Sequence, residues 1–420
     1  MKYMGSKRSM LLNGLGELLT DLVPKRRGFF DLFCGTGSVA GYVAQRFHTS
    51  VCAGDLQKYA VALAACQIEQ TAVFSATEIG QDWIQAAKFW LDERRNLIDP
   101  ALLLRPASEG LEDWRFAVLE ARRLCVELPA EFSLARAYGG HYYSPHQAIS
   151  LDALRATLPA QQRGAALAAL IDAASTCAAA PGHTAQPFGI SDSALPHLAN
   201  AWSRDVSSSA LSALSKIARL QANVPGRAVK SDALELTNEL DEGDLAFIDP
   251  PYSEVQYSRF YHVLEAVAEG FAPEVSGVGR YPEIGLRPQS KFSLLTQSAQ
   301  AFDDLMLGVA ASGADAIVTF PSNEASNGLS GDLVEAISAQ YFHVKTKKIA
   351  SLFSTMGGNA ISRHARQAQL SLFCTLLLGS DSQAPRRWQR NCIGSCARCE
   401  ENDLEQPIAE YSMVNAARLP

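Results

Sequence analysis

No stretch of about 18 consecutive apolar residues occurs in this 420-residue chain, so it offers no candidate for a membrane-spanning helix. The opening residues, "MKYMGSKRSMLLNGLGELL", lack the unbroken apolar core and small-residue cleavage site of a secretory leader, and a cytoplasmic location is expected. Positive charge is not in excess. A net charge of -7 excludes a surface coated in basic residues but not a local basic cleft for phosphates. A disulfide framework is missing as well. Nine cysteines lie scattered at positions 34, 52, 66, 125, 177, 374, 392, 396 and 399, most in apolar surroundings. An odd, scattered set suits reduced core thiols in a reducing compartment. Internal repeats are absent too. What remains is ordinary for a folded soluble protein: 47% hydrophobic and 19% charged residues. The length argues for two domains, or for one domain with a large insertion.

The pattern along the chain changes three times. Residues 1–74 hold "GFFDLF", "SVAGYVAQRF", "SVCAGD" and "YAVALAACQIEQ", an alternation of strand and helix that predicts βαβ units and a parallel sheet. Residues 75–226 carry apolar residues at helical spacing with few β-branched runs, as in "DWIQAAKFWLDERRNLI", and read as a mainly helical insertion. Strands return in 227–380 with "RAVKSD", "DLAFID", "ADAIVTF" and "SLFCTLLL", the first three ending near a polar residue. Residues 381–420 lose periodicity and read as an appended tail.

The first motif with chemical content is "DLFCGTGSVA", Asp31 to Ala40. Gly35 and Gly37 stand after a strand and before a helix, where they permit a tight turn and close backbone approach to a ligand. With Phe33 the spacing is F-x-G-x-G, without the third glycine of G-x-G-x-x-G, which weakens a nicotinamide reading. Taken alone it is equally an ordinary strand-to-helix turn. Asp55 ends the next strand, 18 residues after Gly37, where a doubly wound sheet places the acid that holds ribose hydroxyls. It could instead cap the following helix. Together they favour a cofactor bearing a nucleoside.

The second motif interrupts "LAFIDPPYSEVQYSRFYHVLE", Leu245 to Glu265. An apolar strand that stops at Asp249 delivers a carboxylate to the crevice at the sheet's carboxyl edge. Pro250 and Pro251 remove two N–H donors and stiffen the turn, leaving carbonyl acceptors, and Tyr252 adds an aromatic face. Acceptors beside a flat ring suit a planar substrate with an amino group. A rigid turn whose Asp caps a helix is the plainer alternative.

"DPPY" after "FCGTG" resembles the signature pair of amino-methyltransferases that use S-adenosylmethionine. "KYMGSK", Lys2 to Lys7, looks like the N-terminal cofactor motif of Dam-like, alpha-group DNA adenine methyltransferases, and the motif order agrees. "YGGHYYS", "PGHTAQPF" and "SRFYHVLE" are similar to a subgroup of that family, whereas the likeness fades after Ser380. The resemblance implies an α/β, Rossmann-like methyltransferase fold with a mostly parallel sheet and a largely helical insertion that helps recognise the target. By matching positions, Tyr3 and Lys7 would border the cofactor, with Phe33, Gly35 and Gly37 near its methionine part. Asp31 would meet its amino group, Asp55 its ribose and Asp232 its adenine ring. Asp249, Pro250 and Tyr252 would hold the target adenine, flipped out of double-stranded DNA. A restriction enzyme or other defence component is a partner compatible with this picture, and the oligomeric state is left open.

Other features carry less. Arg94, Arg95, Arg122, Arg123 and Arg136, and later Lys345, Lys347, Lys348, Arg363 and Arg366, could meet phosphates or simply solvate a face. Tyr257 and Arg259, and the loops around His141, Tyr142, Tyr143 and His183, are candidate DNA contacts or packing residues. "FPSNEASNG", Phe320 to Gly328, either borders the adenine pocket or is a polar turn. Cys392, Cys396 and Cys399 form C-x3-C-x2-C, which would need a fourth ligand to bind zinc. Two rival functions stay open at this stage: an amino-methyltransferase acting on RNA or a protein amide, and a DNA-binding module without catalysis.

Overall fold

The computed structural model of the chain describes residues 7–103, 106, 108–321, 325–351 and 366–375. Its strands are β1 (Gly28–Asp31), β2 (Ser50–Asp55), β3 (Arg227–Lys230), β4 (Leu245–Ile248), β5 (Val275–Ser276), β6 (Tyr281–Pro282), β7 (Asp315–Pro321), β8 (Phe342–Ser351) and β9 (Arg366–Thr375). Seven form one sheet in the order β3-β2-β1-β4-β7-β9-β8, while β5 and β6 make a separate antiparallel ribbon. The first five strands of that order pair in parallel, and β9 runs antiparallel to both of its neighbours.

Burial on both faces explains the apolar runs. β1 and β4 are wholly buried, as central parallel strands covered by helices must be. On one face Phe30, Ile248, Phe302 and Met306 share a core; on the other Phe29, Val43, Phe247 and Ile317 do. β8, which the apolar pattern does not mark, lies at the sheet edge. Its lysine-rich "HVKTKK" suits a strand with one free side, because edge lysines discourage pairing with another chain.

Between β2 and β3 the described residues form helices and no strand, including Ala76–Glu93, Leu111–Glu127, Pro145–Ala156, Arg163–Cys177 and Val206–Ile217. These helices enclose one small cluster of their own, around Val118, Leu198 and Ala201, but most of their apolar faces pack elsewhere. Trp83, Leu124, Ile171 and Leu214 pack in one continuous cluster with Tyr59 and Leu63 of helix Lys58–Ile68 and Tyr261 and Leu264 of helix Tyr257–Glu269. Cys34, Cys52, Cys66, Cys125 and Cys177 are free thiols, all buried. Among the described residues no helix is long and apolar enough to cross a membrane.

The strand order fixes where a ligand can sit. From β1 the chain moves outward to β2 and β3, then returns to β4 on the other side of β1 and moves away to β7. The reversal lies between β1 and β4, so a crevice opens at their carboxyl ends. Asp31 closes β1 and Asp249 follows β4 directly. One side chain ties the halves together across this region. Glu265 accepts from the Lys58 N–H at 2.9 Å and the Tyr59 N–H at 3.0 Å, capping helix Lys58–Ile68 from a different helix. Replacing Glu265 with Ala orphans both amides and removes a negative charge from a helix N-terminus. Denaturant unfolding should show a loss of about 1–2 kcal/mol; an unchanged midpoint would remove this cap from the stabilising contacts.

Candidate active site

A cleft of roughly 1010 Å³, counted out to its open mouth, occupies the predicted crevice. Lys7, Asp31, Phe33, Gly35, Asp55, Asp232, Asp249, Pro250 and Tyr252 all line it. Residues widely separated in sequence thus converge on one cavity.

The glycine loop takes its shape from backbone geometry. Gly35 and Gly37 have φ of 50° and 74°, the left-handed region that glycine enters without strain. Gly37 also packs against helix Lys58–Ile68, where a Cβ would fall 2.7 Å from the Ala64 Cα. It is not among the residues that line the cleft, and contributes the turn. Asp55 braces the loop: its Oδ2 accepts from the Gly35 N–H at 3.0 Å and its Oδ1 from the Gln57 N–H at 2.9 Å. Asp55 is therefore a local backbone brace and a cleft residue at once. Burial pushes its carboxyl up to about 6, against the pull of those two amides. Asp232 caps the helical turn Ala233–Leu236 through the Leu234 N–H at 2.9 Å and also faces the cleft.

Asp31 is the anomaly. It is 1% exposed, lines the cleft, and its Oδ1 has no hydrogen-bond partner among the described residues. Burial, followed by the charge of Asp249, pushes its carboxyl up to about 8. A buried acceptor left without a donor is costly and marks a place where a ligand's donor fits.

The turn after β4 is held from three sides. The Lys7 ammonium lies 2.6 Å from Asp249 Oδ2 and donates to the Tyr252 hydroxyl at 2.9 Å. Thr319, on the adjacent β7, donates to Asp249 Oδ1 at 2.6 Å. Burial raises the Asp249 carboxyl from its usual range, and the Lys7 charge is the main opposing influence. Asn327, fully buried, donates its amide to the Pro251 carbonyl at 2.8 Å and to the Phe292 carbonyl at 2.9 Å. Among the described residues nothing donates to the Pro250 carbonyl, which remains an available acceptor. The Tyr252 ring stands edge-on to Phe320, with centroids 5.3 Å apart, and Phe33 is braced the same way by Phe292 at 5.0 Å.

The sequence marks the glycine loop, the two carboxylates and the proline turn, and the structure brings them together. It does not mark Thr319 or Asn327 as supports. Thr319 lies within an ordinary apolar strand, and Asn327 sits in a stretch whose two readings, a border of the adenine pocket or a polar turn, give it no specific contact. Lys7 touches Asp249 and Tyr252 directly, an interaction that its placement beside the cofactor does not convey. Tyr142 and Tyr143 are fully buried, with hydroxyls donated to the carbonyls of Thr184 and Gly279 and of Ala174, so they pack the interior rather than face a target strand. Tyr3 and the cysteines Cys392, Cys396 and Cys399 lie outside the described residues.

Two comparisons with known proteins bear on this site. The model of the D12 class N6 adenine-specific DNA methyltransferases matches residues 3–97 and 178–319. Those segments carry the glycine loop, Asp31, Asp55, Asp232, Asp249, Tyr252 and Thr319, and omit the central helices. Modification methylase LlaI of Lactococcus lactis subsp. lactis is 23% identical over 318 residues, 73% of this chain and 44% of that protein. The chain thus matches less than half the length of this relative. With its motifs folded around one crevice and the family match covering more than half of its residues, the chain belongs to the D12 class N6 adenine-specific DNA methyltransferase family.

Proposed function

We propose that this protein transfers a methyl group from S-adenosylmethionine to the exocyclic amino group of adenine in double-stranded DNA, at a specific sequence. The observation that carries the reading is the pairing, in one crevice, of a buried carboxylate and aromatic ring (Asp249 and Tyr252) with an unpartnered acceptor (Asp31 Oδ1). The relative is named as a modification methylase, which supports a role in restriction–modification. The helices between residues 75 and 226 are the candidate target-recognition region.

The cleft residues fit this cofactor. Asp31 offers the acceptor that an ammonium group needs, Gly35 an open backbone, Asp55 and Asp232 acceptors for hydroxyl and amino groups, and Phe33 an apolar wall. When bound, S-adenosylmethionine supplies an electrophilic methyl on a sulfonium.

The rest falls to the protein. An adenine amino group is a weak nucleophile because its lone pair is delocalised into the ring. Asp249 and the Pro250 carbonyl would accept its two N–H bonds and favour a pyramidal nitrogen with its lone pair free. Tyr252 would hold the base by its face. Such positioning beside a cation supplies much of the acceleration without a strong base. Lys7 and Thr319 keep Asp249 ionised and oriented, and Asn327 keeps the proline turn rigid. The base must leave the duplex to reach them, since an amino group stacked and paired inside the helix is out of reach of a buried carboxylate.

Expression in a host free of DNA methylation, followed by single-molecule sequencing, should reveal modified adenine in one short motif. Asp249→Ala should leave the map blank while the protein stays folded. A blank wild-type map despite cofactor binding, or an unaltered Asp249→Ala map, would contradict the reading. RNA methylation in place of DNA methylation would do the same.

Asp31 yields a pH prediction. The folded chain holds the Asp31 proton up to about pH 8, whereas an unfolded aspartate releases it near 4. Between those values the folded state carries the extra proton, so its stability falls as pH rises and levels off above 8. In cofactor-free protein Asp31→Asn should remove up to about 1.4 kcal/mol per pH unit of that decline. Denaturant midpoints of equal slope in both proteins would show that Asp31 is not protonated in the fold.

A further inference from the structure

Some arginines of this chain pair with carboxylates, and others, Arg46, Arg136, Arg155 and Arg204 among them, meet rings, carbonyls or an amide instead. Arg94 pairs with Glu93 and Glu131, Arg115 with Glu112, Arg123 with Glu120 and Arg227 with Glu239, each the ordinary fate of a surface cation. Arg122, Arg259, Arg280 and Arg287 have no carboxylate partner among the described residues, although the chain holds 44 acidic residues against 37 basic ones. These four cluster. The guanidiniums of Arg259 and Arg287 lie 4.9 Å and 5.6 Å from the centroid of the same Tyr281 ring. Arg280 precedes Tyr281 and donates its Nε to the Ala137 carbonyl at 2.8 Å. Arg122 donates its Nε to the Gly140 carbonyl at 2.9 Å, in the same loop. In all four the Nη groups lack an acceptor among the described residues, and the buried Nε of Arg287 lacks one as well.

The cluster is unfavourable as it stands. Burial, then the neighbouring Arg280 charge, lowers the basicity of Arg122; burial, then Arg259, does so for Arg287. His141 is pushed down to about 3 by burial and by Arg122 and Arg280. The backbone is strained too. Arg280 has a φ of 50° in the turn of the β5–β6 ribbon, a conformation that glycine or asparagine adopts more readily. Its position relative to the cleft gives the cluster a use. Arg259 follows Ser258 and Arg287 precedes Pro288, both cleft-lining residues. The two segments are locked together by the Gln256 side chain, which donates to the Ser290 carbonyl at 2.9 Å and accepts from its N–H at 2.7 Å. Unpaired cations beside the mouth of a crevice call for a polyanion.

We propose that Arg122, Arg259, Arg280 and Arg287 form a track for the backbone phosphates of duplex DNA, running from the cleft mouth onto the helices that precede β3. This deepens the reading above and rests on it for the identity of the polyanion. The track would position the duplex in register with the cleft without reading sequence. Arg94, Arg115 and Arg123, already neutralised, take no part.

Equilibrium binding of a random-sequence duplex, measured by fluorescence anisotropy over a salt series, tests the track separately from catalysis. Arg259→Gln with Arg287→Gln should weaken binding and flatten the log–log salt slope by about 0.9 for each phosphate no longer neutralised. The gap between wild type and variant should then narrow by roughly tenfold from about 50 to 200 mM salt. Lysine at both positions should restore most of the slope, and S-adenosylmethionine binding should not change. Arg122→Gln alone should show a smaller change of the same sign, while Arg123→Gln should show none. An unaltered slope in the double and Arg122 variants overturns the track, as does an equal effect of Arg123→Gln or a weakening confined to single-stranded RNA. Duplex binding with the predicted slopes but no methyl transfer by wild type would support the track and overturn the methyltransferase reading instead.

Discussion

A carboxylate buried at the end of a core strand must be held, or it takes up a proton and ceases to be the acceptor the site needs. Asp249 is held by the Lys7 ammonium at 2.6 Å and by the Thr319 hydroxyl at 2.6 Å, and both interactions depend on distant parts of the chain. Thr319 can reach it only because β7 pairs in parallel beside β4. Lys7 can reach it only if the segment before the first strand folds back over the sheet edge. The site is therefore a consequence of the sheet order, and the sheet order of the two cores packed on its faces.

The helical segment is part of the same construction. Its residues share one apolar cluster with helices Lys58–Ile68 and Tyr257–Glu269, which flank the cleft. Glu265 fastens these two helices, and the first of them begins just past Asp55. A change in how the helical segment packs would thus be felt at the glycine loop that Asp55 braces.

Much of this is legible in the sequence because its causes are local. A strand that ends in Gly-x-Gly or in Asp-Pro-Pro-Tyr carries its turn chemistry with it, and periodicity separates the helical segment from the sheet. Other parts are not local. Nothing near Thr319 or Asn327 says that one bonds Asp249 and the other clamps Pro251, since both arise from strand order and loop packing. β8 escapes notice because its centre, "KTKK", is a polar run with neither an apolar stretch nor a regular alternation. The distinction between paired and unpaired arginines is likewise invisible without coordinates: Arg122 and Arg123 are neighbours, yet only the second meets a carboxylate. Asp55 shows the reverse case, where one side chain both braces the backbone of Gly35 and Gln57 and lines the cleft.

The dependence of Asp249 on Lys7 can be measured directly. Lys7→Gln keeps a donor near the carboxylate but removes the charge that opposes the upward push of burial. The pH profile of methyl transfer on duplex DNA, in wild type and in Lys7→Gln, with denaturant unfolding as a control for folding, gives the decisive comparison. If Asp249 works as an ionised acceptor held by Lys7, the acid limb of the profile moves to higher pH and the maximal rate falls by about tenfold or more. An unshifted acid limb at the wild-type rate would contradict it, leaving Lys7 a bystander to the chemistry.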